Sequence, residues 1–267
     1  MLVIKTDSRL HTPMYFFVFN IAYLDICYTT TLVPQTVRNL LSSKSFIFVA
    51  NCAIQMFFSI LFGAVQIILI AIMAYDRYVA ISNPLRYKMV MNWNICGIFL
   101  ASAYAFSVAL GIILIYSIFS LPFCGNKIEH FCCDMGQVLY LACLDAPMHY
   151  TAEAASFLIG IAFFTIPFIL MLISYMYIIN AVLKIRTNEG RRKAFSTCSS
   201  HLTLVIVEYG CLGFIYYRPK EAYALDKNKA FVMAFTFMTP ILNPVIYTLR
   251  NDAIKKGFIK LTSKKSL

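Results

Sequence analysis

An all-α, polytopic transmembrane helix bundle is the fold class this sequence predicts, and three observations carry it. The 267 residues are 60% hydrophobic and 13% charged, about half the charge fraction of an ordinary soluble domain; the mean hydropathy is +0.73. The apolar residues fall into six runs, 14–37, 57–73, 95–119, 154–182, 202–217 and 230–249. Each is near the ~20 residues that carry a helix across a ~30 Å hydrocarbon layer. Lys and Arg alternate in density: segments 1–12, 77–94, 184–193 and 250–267 hold 16 of the 23. Basic excess marks the cytoplasmic side, so both ends of the chain are expected inside. The net charge of +11 and pI near 9.2 then reflect basic residues beside anionic lipid, and no nucleic-acid partner is needed.

The elements follow in order. Residues 1–12 are mostly polar and read as a cytoplasmic start and loop, with no cleavable signal before the first spanning run. Run 14–37 carries Asp25, and a charge within a span is a functional suspect by default. Run 57–73 leads into Asp76 and Arg77 side by side. Alone, that pair fits a basic side chain reaching headgroups as well as it fits a function. Counting back from Arg77 at 3.6 residues per turn puts Ile70, Gln66, Gly63, Ser59 and Cys52 on one face. A face with small and weakly polar members meets protein rather than lipid; spacing leaves close packing at Gly63 and pocket lining both open.

Run 95–119 ends at a long outer loop, 120–150, which reads "LPFCGNKIEHFCCDMGQVLYLACLD" within it. Of nine cysteines, Cys27, Cys96, Cys198 and Cys211 lie in or beside spans, where packing is their expected role. Cys52, Cys124, Cys132, Cys133 and Cys143 fall on the outer side, where disulfides persist. A bridge from Cys52 to the loop would fold a lid over the bundle mouth, and an odd count leaves one thiol over. His130 with Cys132 and Cys133 is poor spacing for zinc, and no metal is expected. Runs 154–182, 202–217 and 230–249 complete the bundle. Glu208 is a second acid within a span; Pro244 removes a backbone hydrogen bond and permits a kink, and Asn243 can satisfy the groups it frees. Residues 250–267 form a cytoplasmic tail with a short amphipathic helix. No repeat or soluble-domain-sized loop interrupts the pattern, so 1–267 reads as a single domain.

Four strings recur in order at the cytoplasmic ends of helices: "LHTPMYFF" (10–17), "MAYDRYVAI" (73–81), "KAFSTCSSHL" (193–202) and "PILNPVIYTLRN" (240–251). Together they resemble the olfactory receptors, a branch of the rhodopsin-like G-protein-coupled receptors. The likeness implies a seven-helix receptor fold of which six spans are present, Met1–Leu10 corresponding to the end of the first helix and the loop after it. The lack of any Asn-x-Ser/Thr acceptor is then expected, because the family carries it on the preceding tail.

The resemblance also implies roles. Asp76 would restrain Arg77 at rest, and Arg77, with Tyr78, would swing toward a G protein of the stimulatory olfactory type. Asn243, Pro244 and Tyr247 match the last-helix switch, Tyr175 the fifth-helix tyrosine that would partner Tyr247, and His201 the G-protein face. The bridges would be Cys52–Cys133 and Cys124–Cys143. The pocket for a small volatile odorant would be lined by Ser59, Ile60, Gly63, Ala64, Ile159, Phe163, Tyr209, Leu212, Tyr216 and Thr236. Asp25 matches an acid that helps hold sodium in related receptors, but the usual carboxylate on the third helix is here Gln66. Glu208 stands where the family commonly has phenylalanine, and reads as a pocket acid selecting amines, as a protonated carboxyl bonded to a neighbouring helix, or as a damaging substitution. Tyr104 takes the fourth helix's usual tryptophan position.

The expectation is thus a multi-pass plasma-membrane receptor with no cofactor and no enzymatic activity. A six-helix product that does not signal is the alternative. A transporter or channel is a remote one, since such proteins pair charges near the midplane and repeat their halves. An enzyme is disfavoured because neither His130 nor His201 stands in a nucleophile–base arrangement.

Overall fold

The computed structural model of the chain describes the backbone of residues 1–41, 46–128, 132–143, 147–216, 233, 237–246 and 252–263. In chain order the elements are α1 (Leu2–Thr6), a 3-10 turn (Ser8–Leu10), α2 (Pro13–Leu41), α3 (Val49–Ser82), α4 (Tyr87–Val90), α5 (Trp93–Phe119), α6 (Met135–Tyr140), α7 (Pro147–Leu183), α8 (Asn188–Tyr216), α9 (Phe237–Ile246) and α10 (Asp252–Ser263). Among the described residues there is no strand, only an isolated bridge between Phe123 and Ala142. The molecule is an all-helical bundle.

Local chemistry sets the helix ends. Pro13 opens α2, where its fixed φ suits a first turn and its missing N–H costs nothing. Asn92 caps α5, its side-chain oxygen accepting from the Ile95 N–H at 3.0 Å. The α3 helix ends at Ser82, just before Asn83 and Pro84, because the residue ahead of a proline is pushed out of the helical region. Pro34 lies inside α2 and frees carbonyls in the turn before it. In that turn the Thr31 carbonyl accepts from Gln55 Nε2 of α3 at 3.1 Å.

Among the described residues four helices, α2, α3, α5 and α7 from His149, are long and apolar enough to cross a membrane. The α8 helix has 29 residues, but its first half is basic and polar, so the expected run 202–217 is only its later part. The expected run 57–73 is likewise the middle of a 34-residue helix, about 51 Å long at 1.5 Å per residue. That outruns the hydrocarbon layer, and α3 passes Asp76 and Arg77 unbroken.

The α3 helix is also the centre of the bundle, touching α2, α5, α7 and α8. Around it Phe17, Ile21 and Leu24 of α2 pack with Val65, Leu69, Ile70 and Met73, and with Met171 of α7 and Leu204 of α8. In lipid such contacts hold by van der Waals packing, since tails are as apolar as leucine. A second cluster at the other end joins Cys52, Met56, Ile118, Leu121, Cys133 and Val138. There two disulfides form, Cys52–Cys133 and Cys124–Cys143. Gln55 Oε1 accepts from the Cys133 N–H at 3.1 Å, so one side chain ties the loop to α3 and, through its amide, to α2. Cys132 lies outside both bridges; burial, with Asp134 nearby, pushes its thiol above the usual range. At the opposite end α10 packs on α1. Gly257 permits that approach: a Cβ there would stand 2.7 Å from Val3 Cγ1.

Candidate functional site

Three polar clusters lie along the inward face of α3. The first surrounds Arg77. Asp76 is fully enclosed, and Arg77 is buried too. The guanidinium donates to Asp76 Oδ2 through Nε at 2.9 Å and through a terminal nitrogen. The other carboxylate oxygen accepts from Tyr87 Oη at 2.7 Å. Burial and the adjoining carboxylate push the Tyr87 phenol above its ordinary range, so it stays a donor. Sequence reasoning passed over Tyr87. Its signal was the Asn83-Pro84 stop, which turns the chain back so that the residues of α4 face the end of α3. Tyr78 lies beside Tyr177 of α7, ring centroids 5.5 Å apart.

The second cluster is a relay between helices. His201 of α8 is fully enclosed. Its Nε2 meets the Ile70 carbonyl at 3.1 Å, and a carbonyl only accepts, so Nε2 carries the hydrogen. Nδ1 then accepts from Tyr175 Oη of α7 at 2.6 Å. His201 therefore faces the bundle interior and joins α3, α7 and α8, rather than presenting itself at an open face. Tyr175 has this partner; Tyr247 lies outside the described residues.

The third cluster gathers both intramembrane acids. Asn243 Nδ2 donates to Asp25 Oδ1 at 3.1 Å and to Glu208 Oε1 at 3.0 Å. Gln66 Nε2 donates to the same Glu208 oxygen at 3.0 Å. All four side chains are buried. Glu208 is thus held by neighbouring helices. Pro244 follows Asn243 on α9 and is exposed. Among the described residues no group of three or more His, Cys, Asp or Glu side chains could hold a metal ion.

The expected pocket residues are less uniformly placed. Ser59 and Ile60 are half-buried and Ala64 is buried. Ser59 Oγ donates to the Gln55 carbonyl at 2.8 Å. Among the described residues nothing lies within 4 Å of where a Gly63 Cβ would be, which favours open space over close packing there. Tyr209 is buried between Phe164 and Phe168, each ring 5.2 Å away. Its hydroxyl has no partner among the described residues. Ile159 is half-buried on α7. Phe163 instead stacks on Phe106 of α5, itself 56% exposed. That turns Phe163 away from Tyr209, and Phe164 and Phe168 take the inward place. A one-residue step rotates a helical side chain about 100°, and α7 is apolar all round, so periodicity could not fix the face. Leu212 and Tyr216 lie on α8 with side chains outside the described residues, as is Thr236 entirely. A groove of about 530 Å³ also opens between α3 and α5, lined by residues including Phe57, Phe58, Ile112 and Tyr116; it shares none of the expected lining.

Comparison with known proteins follows the same lines. The olfactory receptor family model matches residues 1–265. Olfactory receptor 10Q1 of Homo sapiens is 45% identical over 255 residues, covering 95% of this chain and 79% of its own length. Olfactory receptor 10V1 of Homo sapiens is 42% identical over 264 residues, covering 98% and 84%. Olfactory receptor-like protein OLF3 of Canis lupus familiaris is 40% identical over 261 residues, covering 97% and 81%. With a helical bundle of spanning length and a family match over nearly the whole sequence, this chain belongs to the olfactory receptor family of multi-pass plasma-membrane receptors.

Proposed function

We propose that this odorant receptor takes a small volatile organic molecule into its bundle from the disulfide-bridged side and, through Arg77, activates a stimulatory olfactory G protein at the opposite, cytoplasmic rim. Residues 1–267 then act as one receptor domain in lipid, with both ends of the chain cytoplasmic. The observation that carries this reading is the closed Arg77 cluster. A buried guanidinium, held by its neighbour while Tyr87 holds the second carboxylate oxygen, is a resting lock. Opening it exposes a cation with a fixed fork of donors at the basic end of the bundle.

For the ligand, Ser59, Ile60, Gly63, Ala64 and Ile159 join Tyr209 as lining, with Leu212, Tyr216 and Thr236 proposed from their positions in the sequence. An apolar cavity with few hydroxyls recognises by shape and one or two hydrogen bonds. The enclosed Tyr209 hydroxyl is the polar anchor best supported here, set between two phenyl rings. Tyr209→Phe is expected to weaken the response to an oxygen-bearing odorant by several-fold, the worth of a hydrogen bond of about 1 kcal/mol. Responses to hydrocarbons should stay unchanged. Dose–response curves for matched alcohol and alkane ligands read this directly.

The decisive experiment is a panel of volatiles applied to cells bearing the receptor, with and without the stimulatory G protein, reading cyclic AMP. Responses that need that G protein support the assignment. Ligand-dependent current or uptake without it would return the protein to the transporter class. In the same cells Tyr87→Phe should raise ligand-free cyclic AMP. It removes one hydrogen bond to a carboxylate, worth about 1.5–3 kcal/mol, from the resting state. An unchanged basal level at equal surface density would remove Tyr87 from the lock.

A further inference from the structure

Glu208 does something the proposed coupling does not itself require. One nitrogen, Asn243 Nδ2, lies 3.0 Å from Glu208 Oε1 and 3.1 Å from Asp25 Oδ1, so these two carboxyl oxygens stand at most about 6 Å apart. They meet Gln66 from α3 and Asn243 from α9, and the phenol of Tyr209 follows Glu208 on its own helix. Among the described residues the ion pairs are Arg9–Asp7 and Arg77–Asp76, and neither involves this cluster. Two like charges this close in an apolar interior disfavour joint ionisation. Donors are short as well. Among the described residues two amides, of Gln66 and Asn243, supply the N–H groups, and the fully enclosed Asn243 Oδ1 has no partner. A single proton on either carboxyl removes one charge and turns one acceptor oxygen of this donor-poor cluster into a donor.

We propose that Glu208 is a positioning residue that shares one proton with Asp25 and, so protonated, ties α8 to α3 through Gln66 and to the switch residue Asn243. The same face of α8 carries His201, seven residues earlier, which meets Ile70 four residues beyond Gln66 on α3. Two polar ties therefore hold one helix face against another, and both must loosen for α8 to leave α3. Glu208 is the adjustable one, because its grip depends on where the proton sits. This rests on the proposed coupling only for its consequence in signalling.

The test has arms that need no G protein. Infrared spectra of the purified receptor in nanodiscs should show a protonated-carboxyl stretch that shifts in D2O and is absent from the Asp25→Asn/Glu208→Gln double variant. In cells, Glu208→Leu should raise ligand-free cyclic AMP several-fold per surface receptor. Glu208→Gln, which keeps an oxygen for both amides, should restore the low level. Identical spectra for wild type and double variant would overturn the shared proton. So would a sodium-dependent rise in thermal stability that the double variant loses, since a bound cation would then neutralise the pair. A Leu variant as quiet as wild type would overturn the positioning role, provided that Tyr87→Phe or an odorant raises cyclic AMP in the same cells. Silence of every receptor variant counts against the coupling; there, a melting temperature for Glu208→Leu equal to that of wild type is the result that removes the tie.

Discussion

Arg77→Ala is expected to abolish odorant-evoked cyclic AMP altogether. The side chain has two roles that alanine removes together. At rest it neutralises Asp76, which has no exposure, and stripping one partner from a buried pair costs about 3–5 kcal/mol. In the active state it is the proposed contact with the G protein. Because the first effect alone can reduce delivery to the membrane, responses must be normalised to an outer epitope tag. Arg77→Lys is the companion variant. It keeps a charge but loses the planar fork that grips the carboxylate twice, so partial responses with raised basal activity are expected. Wild-type-sized responses from Arg77→Ala would overturn the assignment of this end as the signalling rim.

The second large effect is on folding. Cys133→Ser, or Cys52→Ser, is expected to remove the receptor from the cell surface. The bridge spans 81 residues of sequence, and closing a loop of that size restrains the unfolded chain by roughly 4 kcal/mol in the entropic account. The Cys133 N–H also bonds to Gln55, so the lid's registration on α3 goes with it. The Cys124–Cys143 bridge spans 19 residues and restrains less, so Cys143→Ser should be the milder variant. Surface labelling in intact against permeabilised cells ranks the three. Equal surface levels for all would show that neither bridge is needed for assembly.

Much of this molecule was legible in the sequence, for a physical reason: hydrocarbon admits few residue types, so the spans announce themselves. The ends were not legible. The α3 helix runs from Val49 to Ser82, well past the expected 57–73, because hydropathy goes silent where a helix enters water. At the Ser82 end it is Pro84, pushing Asn83 out of the helical region, that decides. Contacts between distant positions were hidden as well. Gln66 and Glu208 are 142 residues apart, and Asp25 and Asn243 are 218; helical spacing on one segment cannot show which faces meet. Glu208 was readable as an anomaly, but whether it faced a ligand or another helix depended on that meeting. Phe163 shows the same limit on a smaller scale, one residue away from the pair that packs on Tyr209.

The great length of α3 has one more consequence. Its disulfide-bridged tip is stapled to the loop, and its flanks are gripped by α2, α4, α5, α7 and α8. In the proposed orientation α3 is therefore expected to act as a mast, held at one tip and supported along its length. On the proposed function, news of an arriving guest is expected to travel as a tilt of the spars leaning on it, small near the staple and amplified toward the far rim.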